Sequence, residues 1–145
     1  MGTRSTIAIQ NEDGSVTGIY VQRDGGFWCN GPILRDHYTD EAKIRELIAL
    51  GDLSCLNKNV HPDPNATHTF ESSQDGVCVA YGRDRGETGV EASTFDDWNT
   101  FIENMGQEYD YLFTPGQGWV VRYAERRGNL NEEMTRCEKE REEEQ

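Results

Sequence analysis

Residues 76–87, reading GVCVAYGRDRGE, are the stretch that most constrains how this chain can fold. Val77 to Tyr81 form a short apolar, β-branched and aromatic run opened by Asp75-Gly76, and the pattern predicts a central strand. Four charges, Arg83, Asp84, Arg85 and Glu87, then cluster around Gly82 and Gly86, where the strand should end. Glycines permit a sharp turn there, and the charged groups can pair with one another or with a ligand. The residues N-terminal to this stretch read as a hairpin plus helices. Those C-terminal to it read as a helix plus a second hairpin.

The first hairpin is written in alternation. Residues 4–10 place Ile7 and Ile9 on one face, Asp13-Gly14 supplies a turn, and residues 16–22 resume with Ile19 and Val21 facing inward. A glycine-rich loop carrying Phe27 and Trp28 comes next, and Pro32 suits the first turn of a short helix through Ile33, Leu34 and His37. Thr39 is the expected cap of the next helix, with an Ile44, Leu47, Ile48 stripe and Gly51 at its end. Residues 52–75 read as irregular, with a short strand around 68–71 as the one element inside them.

Ser93 or Thr94 is expected to cap a third amphipathic helix with Phe95, Trp98, Phe101, Ile102 and Met105 on its buried stripe and Gly106 at its end. Residues 109–113 and 119–123 flank TPGQG and predict the second hairpin. The expected fold is α+β: an antiparallel sheet of about five strands with helices packed on one face. Residues 1–128 form that single domain. Residues 129–145 form an acidic tail, seven Glu against Arg136, Lys139 and Arg141 in its last fifteen positions, expected to be a solvated, fraying helix.

Composition narrows the function. At 145 residues the chain suits one domain with a real core, and fourteen aromatic side chains argue against disorder despite a mean hydropathy of −0.82. The formal net charge of −13 disfavours direct DNA binding, because neutralising phosphates requires Lys and Arg. An acidic surface suits solubility, or a basic partner such as a nucleic-acid-binding protein. Cys29, Cys55, Cys78 and Cys137 form no C-x-x-C pair, and no run reaches membrane-spanning length, so the expectation is a cytoplasmic protein with free thiols. His61 and His68 with Cys55 match no common zinc spacing, and no phosphate-binding glycine motif is present; neither metal nor cofactor is expected.

TRSTIAI at 3–9 leading to the Asp13-Gly14 turn, LIALGDLS at 47–54, YGRDRGE at 81–87 and YDY at 109–111 together resemble a family of small phage- and prophage-encoded proteins. The resemblance spans roughly residues 3–123 and implies a viral accessory protein of the bacterial cytoplasm, without implying an activity. Relatives in that family carry His-Trp-Asp-Gly after the first hairpin. Here the place reads Gln22-Arg23-Asp24-Gly25, with Trp28 displaced downstream.

Two candidate sites emerge. In the first, Arg83 and Arg85 clamp a phosphate or carboxylate with Asp84 and Glu87 alongside, or else pair with Asp84, Glu87 or Asp24 to pin the loop. In the second, Phe27-Trp28 marks a contact surface, or else a flap over the core. The leading functional expectation is a non-enzymatic phage protein that binds and inhibits a host protein, such as a defence or nucleic-acid-processing complex, with no membrane contact. The alternative is a nucleotide or small-anion binding protein or enzyme built on the Arg83/Arg85 loop. A purely structural or oligomer-forming protein is the third.

Overall fold

A computed structural model describes residues 3–143. Its elements run β1 (Ser5–Gln10), β2 (Val16–Val21), α1 (Asn30–His37), α2 (Glu41–Ala49), β3 (Leu53–Cys55), β4 (Val79–Ala80), α3 (Tyr81–Arg85), β5 (Ser93–Phe95), α4 (Trp98–Met105), β6 (Tyr109–Thr114), β7 (Gly118–Tyr123), β8 (Arg126–Asn129) and α5 (Leu130–Glu143). The fold is α+β, with eight strands in one mixed sheet and five helices among the described residues.

The sheet order is β4-β3-β2-β1-β6-β7-β8, with β5 pairing β2 beside β3. Both hairpins form as their alternation requires: Ile7 faces Ile19 across β1 and β2, and Tyr111 faces Val121 across β6 and β7. Gly14 takes φ +88° in the first turn. The sheet is nevertheless larger than five strands and not purely antiparallel, since β1 pairs β6 and β2 pairs β3 in parallel. β2 and β3 are separated by α1 and α2, and β1 and β6 by every element from β2 to α4, and such distant pairings leave no local mark in a sequence.

The largest correction concerns 77–81. Only Val79 and Ala80 are strand, and they lie at the sheet edge rather than its centre, while Tyr81 already begins α3. The central position belongs to β1, whose two faces are both covered: Ile7 and Ile9 on one, Ala8 on the other. The second core explains the small residues opposite the isoleucines. Phe101 of α4 sits over Gly18 of β2, where a Cβ would come within 2.7 Å of its ring and of the Ala8 methyl.

Helices therefore pack on both faces, not one. α1, α2 and α5 cover the main core with Leu34, Ile44, Leu47, Ile48, Leu130 and Met134, and α4 covers the other face with Phe101. Two caps differ from expectation in the same direction. Asp40, not Thr39, caps α2 by accepting from the Ala42 N–H, and Asp97, not Ser93 or Thr94, caps α4 by accepting from the Thr100 N–H at 2.8 Å. Ser93 and Thr94 are instead drawn into β5, pairing Gly18 and Thr17. Gly51 lies just after α2 at φ +81° as expected, its N–H bonded to the Ile48 carbonyl. Residues 68–71 form no strand, whereas β3 and β8 are strands in segments whose residues do not alternate.

Candidate functional site

The α3 corner is organised by the Asp84 carboxylate. β4 ends at Ala80, whose N–H donates to Asp84 Oδ2 at 2.8 Å, and Gly86 closes the single helical turn at φ +74°. Arg83 grips the same carboxylate with Nε at 2.8 Å and a terminal nitrogen at 3.1 Å. Its terminal nitrogens also donate to the Val60 carbonyl at 2.6 Å and the Cys78 carbonyl at 2.8 Å. His68 completes the shell at 3.2 Å from Oδ2. Only 3% of the Asp84 side chain is exposed. Burial pushes its carboxyl up, but the hydrogen bonds from Arg83, Ala80 and His68 outweigh burial and hold it below the ordinary aspartate range.

This arrangement limits the chemistry available. His68 Nδ1 accepts from the Gln74 N–H at 3.0 Å, which leaves its proton on Nε2, donated to Asp84. Neither ring nitrogen has a lone pair free to act as a base. Four of the five Arg83 N–H donors are engaged, so a bidentate clamp on an anion would have to displace an internal partner. The network ties α3 to the irregular segment between β3 and β4, helped by a Phe70 N–H bond to the Asp84 carbonyl.

Arg85 and Glu87 stand apart from that network. They form an exposed pair at 3.4 Å, and the Arg85 guanidinium stacks on the Phe70 ring 4.8 Å from its centroid. Asp24 joins neither arginine in an ion pair among the described residues. It turns the chain at φ +58° and accepts the Asn30 N–H on its carbonyl. The charges grouped in the sequence thus separate into a lock, in which the partly exposed Arg83 grips the shielded Asp84 carboxylate, and an exposed pair (Arg85, Glu87).

Phe27 and Trp28 also separate. The Gly25 N–H donates to the Thr3 carbonyl, and the Gly25 carbonyl takes the Tyr111 hydroxyl at 2.5 Å, so the loop is pulled onto the sheet. Phe27 is buried edge-on against Tyr109 and Tyr123, at 5.0 and 4.7 Å between ring centroids. Trp28 points outward, 50% exposed, with the Arg141 guanidinium 5.2 Å from its ring centroid. Glu138, Arg141 and Glu142 of α5 join Trp28 around a hollow of about 350 Å³. No feature of the tail sequence marks this meeting, because it depends on α5 docking beside α1.

Two further polar features lie elsewhere on the sheet. Asp110, wholly buried on the α4 face, accepts from Thr6 at 2.7 Å, from the Gln107 N–H at 2.9 Å and from Arg122. Asp110 and Arg122 stand opposite each other in the β6–β7 register, a pairing the hairpin alignment itself could have disclosed. A polar groove of about 370 Å³ lies between the hairpin turns and α2, lined by Gln10, Asn11, Glu12, Glu41, Arg45 and neighbours. It contains no nucleophile paired with a base. All four cysteines are free thiols, and no group of three metal-ligating side chains converges among the described residues. Among the described residues no helix is long and apolar enough to cross a membrane. Comparison with protein-family models, curated proteins and solved structures finds no match for this chain.

Proposed function

We propose that this chain is a non-enzymatic accessory protein of phage type that binds and inhibits a host protein with a basic surface, as defence and nucleic-acid-processing complexes have. The observation that carries the reading is the fate of the charges. Seven arginines, at 35, 45, 83, 85, 122, 126 and 136, are engaged in ion pairs with the chain's own carboxylates. The net −13 therefore resides in carboxylates left facing solvent, such as Glu12, Asp63, Asp75, Glu103 and Glu132. A surface of this kind attracts basic partners over distances comparable to the Debye length and repels polyanions.

The engagement of Arg83 supports this reading over a small-anion clamp, because bidentate binding needs two free donors and the internal contacts leave one. The test is affinity capture from a bacterial host lysate at two ionic strengths, beside a thermal-shift screen of nucleotides. A stoichiometric protein partner whose capture weakens as salt rises, with its activity reduced by the bound chain, is the expected result. Stabilisation by one nucleotide without a protein partner overturns the proposal.

A further inference from the structure

Trp28 is the one large apolar side chain exposed among the described residues. Tryptophan is enriched at the energetic centres of protein interfaces. Its neighbours come from the last turns of α5. Glu138 and Glu142 are one turn apart and Arg141 lies between them, so all three border the same hollow as the indole. The hollow thus combines a π-face with two carboxylates, the recognition elements for a cation. One cation already stands there: the Arg141 guanidinium lies over the ring, and Arg141 makes no ion pair among the described side chains.

We infer that the Trp28 hollow receives an arginine side chain from a basic protein segment, and that Arg141 is an internal stand-in displaced when that segment binds. The inference rests on the reading of the chain as a binder of basic proteins and names where such a partner is gripped. Charge selects the occupant. A second copy of this chain would bring −13 against −13, and an anionic membrane surface would be repelled likewise. An arginine fits better than a lysine, because a planar guanidinium stacks on the indole while donating in its own plane to Glu138 and Glu142.

The probe is a nona-arginine peptide titrated into the full chain at physiological salt, with the three tryptophan indole N–H signals monitored by NMR and Trp28 assigned through Trp28→Phe. Saturable movement of the Trp28 signal is expected. Trp28→Ala should weaken binding about tenfold, and Glu138→Gln with Glu142→Gln should weaken it more than the distant charge removal Glu103→Gln. Nona-lysine should bind less tightly than nona-arginine. Arg141→Ala should tighten binding, since it frees the ring and leaves the hollow more negative. Binding unchanged within about twofold in Trp28→Ala overturns this inference while leaving the acidic-surface reading intact. No binding by the unaltered chain overturns both. Weaker binding in Arg141→Ala, or a dimer on sedimentation that Trp28→Ala abolishes, refutes the stand-in role.

Discussion

Asp84 and Asp52 are both shielded carboxylates, yet they respond to pH with opposite signs. Asp84 titrates below the ordinary aspartate value in the folded chain, so its stabilisation is complete above the unfolded value near 3.8 and is lost as pH falls through the folded value. Asp52 is the reverse. Burial is the main cause that raises its carboxyl, with Glu91 adding to it and the Tyr20 N–H bond opposing it. Its charged form therefore costs stability as pH rises from 3.8 through the raised value. Asp52→Asn keeps an oxygen for the Tyr20 N–H and should melt higher than wild type at about pH 7, the gain vanishing below pH 3.8. A gain that persists at low pH would contradict this account.

The two arginines beside Asp84 separate by the same reasoning. Arg83→Ala strands a buried carboxylate and two carbonyls and should cost about 3 kcal/mol in urea unfolding. Arg85→Ala removes an exposed pair and should cost about 0.5 kcal/mol or less. Arg83→Lys should recover little, since an ammonium cannot reach carboxylate and carbonyls together in fixed directions. Equal losses at the two positions would refute the division.

Among the helices, α5 forms as expected but is docked rather than solvated in its first turns. Its glutamate-rich surface predicts a solvated, fraying helix, but Leu130 and Met134 enter the main core, and Glu133 accepts from the Tyr123 hydroxyl at 2.7 Å and from Arg126 at 3.2 Å. Two apolar side chains one turn apart suffice to dock a helix when an aromatic floor is in place, here Tyr109 and Tyr123 of the sheet with Phe27 of the loop against them. Leu130→Ala should lower unfolding free energy by about 3 kcal/mol, whereas Glu140→Ala should stay within about 0.5 kcal/mol. Loss of α5 signal in circular dichroism without loss of global stability would mean that the helix is not docked. The hairpins behave differently: alternation and turn glycines are local, so β1, β2, β6 and β7 lie where their residues indicate.

For the whole molecule, charge makes the clearest statement. At physiological salt the chain should show no duplex DNA binding up to about 100 micromolar in fluorescence anisotropy, the weak end of the non-specific range. Sub-micromolar, salt-sensitive binding would require a segregated basic face. A chelator should leave the melting temperature unchanged, because no folding energy would be tied to a metal. Stoichiometric zinc in the purified protein would contradict that.

The α+β class, both hairpins, the buried stripe of α2 and the acidic charge were legible in the sequence, because alternation, helical spacing and charge are properties of near neighbours. Long-range assembly set everything else. It placed β1 rather than 77–81 at the sheet centre, inserted β6 beside β1 in parallel and put α4 on the second face. It also sent Phe27 inward and Trp28 outward, and brought His68 to Asp84 and α5 to Trp28. Each of these joins residues far apart in the chain, where loop-closure entropy is repaid only by the assembled core, so nothing in a local window can register them.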